Sequence, residues 1–149
     1  LLAVREGLTG HIKFCGAMAF ESVLQILESS DVFCLAPRLI PGHPPDGIPN
    51  VIAEAMALRI PVVTTRVSAI PELVSGDVTG KLVDVDDVTG FAQAIAFIAD
   101  SPAQAQKLSD SAATRVTKLF NQNANIDDLL ALFDQYVPES LLEPVHAMT

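Results

Sequence analysis

The sequence predicts an α/β protein in which short parallel strands alternate with helices. Several short runs rich in valine, isoleucine and leucine are typical of strands buried on both faces of a parallel sheet. Segments in which apolar residues recur three and four positions apart separate these runs, as expected for amphipathic helices. No internal repeat or low-complexity tract interrupts the alternation. Together these observations favour a parallel sheet with crossover helices.

The first five elements follow from apolar patterns and from the residues that end them. "HIKFCG" (11–16) is a short apolar run that ends at a glycine, and we interpret it as a strand. Residues 20–29 have apolar side chains at helical spacing. "DVFCLAP" (31–37) is a continuous apolar run that a proline stops, so it predicts a buried strand. A helix at 50–58 and a second buried strand at 60–65 follow.

The next three elements are a helical turn, a strand and a capped helix. "PELV" (71–74) predicts a short helical turn that begins with proline, and "GKLVDV" (80–85) predicts a strand. Asp87 is the expected N-cap of a helix over 88–100, because its side-chain oxygen can accept a hydrogen bond from a free amide of the first turn. Gly90 weakens that turn by about 1 kcal/mol relative to alanine.

Two further helices complete the pattern. Ser101 and Pro102, an N-cap residue followed by proline at the first helical position, begin a helix that extends to about Phe120. Residues 126–136 predict a last amphipathic helix, and no element is predicted from Pro138 onward. We therefore expect one partial domain over 1–137 and a C-terminal tail over 138–149.

Composition narrows the class of protein. The chain has 149 residues and a formal charge of −9, which disfavours a nucleic-acid partner because such a partner needs a basic surface. No apolar run approaches the roughly 18 residues of a transmembrane helix. Cys15 and Cys34 lie in apolar runs and are expected to be buried, reduced thiols of a cytoplasmic protein. The three histidines are scattered, so no metal-ligand spacing is present.

The stretch "PPDGIPNVIAEAMA" (44–57) is the strongest candidate for a binding site. It follows a predicted strand end and leads into a helix, and ligands of open α/β sheets bind beyond the carboxyl ends of the strands. The start of a helix carries unpaired amides and a partial positive charge that stabilise an anion. Asp46 and Glu54 lie eight positions apart around this start, and Asn50 shares one helix face with Glu54.

The motifs "DVFCLAP", "DGIPNVIAEAMA", "PVVTT", "IPELV" and "TGKLV" resemble the C-terminal half of the family 4 retaining glycosyltransferases. The resemblance covers about residues 11 to 120. It implies a Rossmann-like parallel sheet with flanking helices, which is the incomplete C-terminal half of a GT-B fold. In that family this half holds a nucleotide sugar in the cleft between two domains.

The resemblance also implies roles for individual residues. Glu54 would accept hydrogen bonds from ribose hydroxyls, and Asp46, in place of the family's first glutamate, would face the donor sugar as the catalytic residue. The turn that ends at Gly16 is a weaker candidate for binding the base of the nucleotide. The turn before the helix would offer backbone amides to the sugar and the diphosphate. The donors in this turn would be Gly47, Ile48, Asn50 and Val51.

Several features depart from the family pattern. Arg59 and Ala69 stand where the family usually has glycine, and a left-handed residue after a helix costs a non-glycine side chain about 1 kcal/mol. Asp46 is one methylene shorter than glutamate, and alone it is equally an ordinary turn residue in Pro-Asp-Gly. The family's N-terminal Rossmann domain and the first two strands of the C-terminal domain are missing. We therefore expect a piece of a longer protein that is inactive alone and that is either unstable or associates through an exposed sheet edge.

Three functions remain in competition. The leading hypothesis is a hexosyltransferase that moves a sugar from a nucleoside diphosphate donor to a glycan or lipid-linked glycan in polysaccharide or glycoconjugate synthesis. It would need no metal and no cofactor. It would be cytoplasmic, with peripheral attachment at the inner membrane face as an alternative. The second hypothesis is a non-catalytic remnant that binds a nucleotide sugar or a protein. The third is a nucleotide-sugar epimerase, for which the motif of two acids is not expected.

Overall fold

The computed structural model describes residues 2–42 and 47–136, and it confirms the α/β architecture. In this part of the chain three strands alternate with helices. The elements in order are α1 (Leu2–Arg5), α2 (Phe20–Glu28), β1 (Phe33–Leu35), α3 (Asn50–Ala57), β2 (Val62–Thr65), α4 (Ile70–Leu73), β3 (Lys81–Val83), α5 (Val88–Asp100), α6 (Pro102–Leu119) and α7 (Gln122–Tyr136). None of the helices within the described residues is long and apolar enough to cross a membrane.

The three strands form a parallel sheet in the order β1-β2-β3. Phe33 is in register with Val62, and Val63 is in register with Lys81. The central strand β2 is buried at every position. Because neighbouring side chains of a strand point to opposite faces, Val62 and Val63 define the two faces of the sheet.

Each face of the sheet has its own apolar core. On the Val62 face the sheet packs against α2, α3 and α4, with Ile52, Met56 and Leu73 fully buried. On the Val63 face it packs against α5 and the first turns of α6. Helix α6 contributes to both cores, since its later residues Ala112 and Val116 lie in the first one. These packed faces fix the position of α3, whose first turn holds the candidate site.

The end of α3 has the left-handed turn that the sequence comparison with the family suggested. Arg59 has a φ of 60°. Its amide donates to the carbonyl of Met56 at 3.1 Å, and the amide of Ile60 donates to the carbonyl of Ala55 at 2.9 Å. This pair of bonds is a Schellman motif. The Arg59 guanidinium also pairs with Asp110 of α6. Ala69, by contrast, has an ordinary φ of −86°.

The predicted start of α5 is confirmed in detail. The Asp87 carboxylate accepts a hydrogen bond from the Gly90 amide at 2.8 Å. A Cβ at position 90 would lie 2.2 Å from the Asp87 carboxylate. Glycine therefore lowers the helix propensity at this position, but it leaves room for the Asp87 side chain that caps the helix. At the start of α6 Pro102 occupies the first position as expected, whereas Ser101 makes no side-chain cap bond.

Three sequence-based expectations were wrong. Residues 12–16 form no strand and are exposed, because no neighbouring strand pairs with them within the described residues. Cys15 and Cys34 are exposed free thiols rather than buried ones. The last helix begins at Gln122 instead of 126, because Asn121 caps it and accepts a hydrogen bond from the Ala124 amide at 3.2 Å. The expected tail over 138–149 lies outside the described residues.

Candidate functional site

The candidate site lies at the start of α3, beyond the carboxyl end of β1. Pro49 is the N-cap residue, with an extended backbone at φ −60° and ψ 123°. Just before it, Gly47 is exposed and Ile48 is half-buried against the core. Asp46, the predicted catalytic acid, lies outside the described residues. The structure thus describes the site from Gly47 onward.

Several backbone amides at this helix start have no acceptor among the described residues. The Ile52 amide donates to the Pro49 carbonyl at 3.0 Å. Ile52 was not among the predicted donors. Those donors are the amides of Gly47, Ile48, Asn50 and Val51, and none of them has an acceptor among the described residues. Proline at the cap position supplies neither an amide nor a capping oxygen. The first turn therefore presents hydrogen-bond donors and the positive end of the helix dipole.

Glu54 lies one turn further along α3. Its side chain is half-buried and belongs to neither core cluster, whereas its neighbours Ala55 and Met56 are fully buried. Within the described part of the chain, the Glu54 carboxylate has no hydrogen bond and no ion pair. Asn50 lies at i−4 from Glu54, so both side chains leave the same helix face. The first two turns of α3 thus carry a carboxylate and backbone amides that have no partner among the described residues.

Gly16 has a left-handed backbone with φ 68° in an exposed segment. Phe14, in the same turn, is 83% exposed. In the described ranges no hydrogen bond or ion pair joins this turn to the start of α3. A contribution of Gly16 to the site therefore stays a prediction.

A cavity that sequence analysis did not identify lies at the carboxyl ends of all three strands. We call it the edge cavity; its volume is about 420 Å³. The Thr65 hydroxyl, at the end of β2, donates to the Pro37 carbonyl and ties two of the strand ends together. The lining residues are Ala36, Pro37, Arg38, Thr65, Asp84, Val85, Asp86, Asp87, Val88, Phe91, Ala92 and Ile95. The only sequence signal that could have located the edge cavity was the position of the predicted strand ends.

Charged groups surround the mouth of the edge cavity. Arg38 lies 3.9 Å from Asp86, and both side chains are more than 70% exposed. Arg66 donates to Asp84 at 3.2 Å. Asp87 caps α5, so each acid of "DVDD" (84–87) has a local partner. No group of three metal-ligating side chains occurs within the described residues. The acids of this loop act in ion pairs and in helix capping.

Glu72, the acid of the "IPELV" motif, has an exposed side chain in the first turn of α4. Its backbone carbonyl accepts a hydrogen bond from Arg115 of α6 at 2.5 Å. This bond fixes the end of the short helix to α6. The contact involves the main chain, so it assigns no ligand role to the Glu72 carboxylate.

Comparison with known proteins gives a consistent picture. Residues 1–101 match the family described as glycosyl transferases group 1. The chain is 28% identical over 134 residues to the amylovoran biosynthesis glycosyltransferase AmsK of Erwinia amylovora, covering 89% of this chain and 33% of that protein. It is 39% identical over 85 residues to a putative colanic acid biosynthesis glycosyltransferase, WcaL, of Escherichia coli, covering 57% and 21% of the two chains.

Solved structures with the same fold include a sucrose-phosphate synthase from Thermosynechococcus elongatus. The TM-score is 0.76 at 28% identity, and the match covers 90% of this chain and 32% of that one. HepE of Anabaena in complex with UDP and glucose has a TM-score of 0.75 at 23% identity, with 87% and 34% covered. This chain thus spans about a third of the length of the proteins it matches.

Proposed function

The chain belongs to the group 1 glycosyltransferases, and we propose that it is the nucleotide-sugar-binding part of a retaining, family 4 enzyme. The complete protein would transfer a hexosyl group from a nucleoside diphosphate sugar to an acceptor hydroxyl of a glycan or lipid-linked glycan. Relatives named for amylovoran and colanic acid biosynthesis support a role in polysaccharide assembly. Residues 1–149 alone would be inactive, because the acceptor side belongs to the remaining two-thirds.

The start of α3 carries this proposal. Within residues 2–42 and 47–136, its predicted donor amides before and within the first turn have no acceptor, and the half-buried Glu54 one turn along has no partner. A diphosphate accepts hydrogen bonds and is attracted by the positive end of a helix. A carboxylate only accepts hydrogen bonds, so it suits the two hydroxyls of a ribose. One ligand that contains both groups satisfies the whole surface.

The chemistry follows from this placement. Amides at the α3 start would stabilise the negative charge that develops on the departing diphosphate, an electrostatic contribution that often dominates catalysis. By resemblance to the family, Asp46 would hold hydroxyls of the donor sugar. No metal and no separate cofactor is part of the proposal, so activity of the complete protein should persist in the presence of EDTA.

The experiment is donor binding by the protein expressed from its complete reading frame. Calorimetry against a panel of nucleotide sugars, beginning with UDP-glucose, identifies the donor. The affinity of the Glu54→Gln variant is then compared with that of Glu28→Gln, which replaces an exposed acid at the end of α2. Loss of hydrogen bonds to a charged acceptor costs about 1.5–3 kcal/mol. We therefore expect Glu54→Gln to weaken binding about 10- to 100-fold and Glu28→Gln to leave it unchanged.

Equal affinity of the Glu54→Gln variant and the parent protein would refute the assignment of Glu54. Product analysis by NMR tests the retaining mechanism, since the anomeric configuration of the donor should be preserved. The second candidate function, a non-catalytic remnant, is motivated by Asp46 in place of glutamate and by the non-glycine Arg59 at φ 60°. Binding without turnover, unchanged by Asp46→Glu, would favour the remnant.

A further inference from the structure

A side-chain hydrogen bond joins β1 and β2 just beyond the end of their backbone pairing. The register of the two strands ends with Leu35 opposite Thr64. Two residues after Leu35, Pro37 has no amide with which it could extend the ladder. The next residue of β2, Thr65, donates its hydroxyl to the Pro37 carbonyl instead. A side chain thus holds the chain at the point where the backbone ladder has stopped.

This bond lies in buried surroundings. Thr65 is 4% exposed and Pro37 is half-buried, so water is poorly placed to replace the bond if the hydroxyl is removed. The neighbouring Arg38 lies 3.9 Å from Asp86, and both of these side chains are more than 70% exposed. Exposed ion pairs contribute little. Among the described contacts, the Thr65 bond is therefore the stronger attachment of the chain at this point.

Pro37 is the last residue before the loop that leads to α3. We call residues 38–49 the site loop, because the loop includes Asp46 and ends at the α3 start. Residues 38–42 and 47 are exposed, and no backbone hydrogen bond joins residues 38–42 or 47–48 to another described residue. In its described part, the site loop is therefore attached at its two ends.

The two ends of the site loop are held in different ways. At the far end, Ile48 packs against the core that α3 shares with the sheet, and Pro49 leads into the helix, in which Ile52 is fully buried. Apolar packing thus fixes this end together with α3 and Glu54. The near end is held by the Thr65 hydroxyl. Loss of this hydroxyl should therefore release the near end of the loop and leave the helix in place.

We propose that Thr65 is a positioning residue of the transfer reaction, because its hydroxyl holds Pro37 and so determines where the site loop presents Asp46 to the donor sugar. This role rests on the proposed function, in which Asp46 acts on the sugar and the α3 start binds the diphosphate. Thr65 acts through the loop and is not itself a catalytic residue. A misplacement of about 1 Å can slow a reaction about 100-fold, so a small shift of the loop is enough to matter.

Kinetics of the protein from the complete reading frame test this role. Thr65→Val should lower kcat about 10- to 100-fold. The Kd of the donor, measured by calorimetry, should stay near that of the parent protein, because the groups proposed to bind the diphosphate and the ribose lie at the α3 start. A variant that was only less stable would show no fall in kcat at a temperature where it is fully folded.

Two matched variants serve as controls. Thr65→Ser keeps the hydroxyl and should keep most of the parent kcat. Thr64→Val makes the same chemical change one residue earlier, where the buried hydroxyl has no hydrogen-bond partner within the described residues, and it should leave kcat unchanged. Circular dichroism and thermal denaturation establish that each variant is folded at the temperature of the assay.

Backbone nitrogen relaxation in NMR adds a readout that needs no turnover. In Thr65→Val the order parameters of residues 38–42 should fall below those of the parent protein, toward the values under about 0.6 that mark flexible backbone. The order parameters of α3 should not change, since packing holds the helix. Thr65→Ser should match the parent protein over both segments.

Four kinetic results would overturn the proposal. An unchanged kcat in Thr65→Val shows that the bond does not position the acid. Equal slowing in Thr65→Ser shows that the hydroxyl is not the cause, and equal slowing in Thr64→Val shows a general disturbance of the core. A parallel loss of donor affinity shows that the disturbance reaches α3.

Failure of the proposed function is distinguishable from failure of this inference. If the complete protein transfers no sugar, the proposed function fails and the order parameters alone decide whether Thr65 anchors the site loop. Lower order over residues 38–42 in Thr65→Val then supports the anchor, and unchanged order overturns it.

Discussion

Arg59 lies in a backbone conformation that favours glycine, so its replacement measures the strain in the turn that ends α3. A left-handed backbone costs a non-glycine residue about 1 kcal/mol or slightly more. The ion pair with Asp110 opposes this strain. Its two side chains are 61% and 47% exposed, and exposed pairs contribute between about 0 and 1 kcal/mol. The two contributions are of similar size and opposite sign.

Comparison of Arg59→Gly with Arg59→Ala separates the two contributions. Both variants lack the ion pair, and only glycine relieves the backbone. We expect the glycine variant to be more stable than the alanine variant by about 1 kcal/mol, or about 2–4 °C in thermal denaturation for a chain of this size. Relative to the parent protein, Arg59→Gly should be nearly neutral at low salt and stabilising in about 1 M salt, where the ion pair is screened.

Asp110→Asn provides the control, because it removes the ion pair and leaves the backbone of residue 59 unchanged. The loss of thermal stability in Asp110→Asn should vary with salt concentration in the same way as the loss in Arg59→Ala. If the glycine variant is no more stable than the alanine variant at any salt concentration, the left-handed turn carries no strain and the reasoning from its φ angle is wrong.

Two other predictions concern buried and titrating side chains. Thr64 and Thr65 form a matched pair: the buried Thr64 hydroxyl has no hydrogen-bond partner within the described residues, whereas the Thr65 hydroxyl donates to the Pro37 carbonyl. In thermal denaturation Thr64→Val should stabilise and Thr65→Val should destabilise, each by about 1 kcal/mol; shifts of the same sign would contradict this explanation. Although the Cys34 side chain is accessible to solvent, the surrounding chain desolvates its thiol in part and so raises the pKa of this group above its ordinary value. The folded protein therefore holds this proton more tightly than the unfolded chain, and the resulting stability is present below the ordinary cysteine pKa and lost as the pH rises through the folded pKa. Denaturant unfolding at a series of alkaline pH values should show a smaller decline for Cys34→Ser than for the parent protein, and an equal decline would rule out a contribution from Cys34.

Sequence patterns predicted two kinds of element: those that interactions within a few residues stabilise, and those whose packing partners lie in the same chain. Asp87 and Pro102 marked helix starts because caps act over three or four residues. The apolar run that became β2 was recognisable because a strand buried on both faces must be apolar throughout. The Asn121 cap was missed because the residues that follow it, 122–125, are mostly polar and show no apolar periodicity.

The failures have a common physical cause. Residues 11–16 include the apolar side chains of Ile12 and Phe14, as a strand would, but a strand forms only beside a partner strand. Cys34 was expected to be buried because β1 is apolar, yet burial depends on what lies over the strand. For the candidate site, the placement of Glu54 on one face of α3 followed from helical periodicity. The edge cavity did not, because its lining combines strand ends, loops and one face of α5 that are distant in sequence.

The strands of this sheet lie side by side in the order in which they are synthesised. On a translating ribosome, β2 meets a β1 that has already left the exit tunnel, and β3 then adds to the outer edge of β2. No later strand has to insert between two that are already paired. This region can therefore assemble progressively during translation, from the β1 side outward.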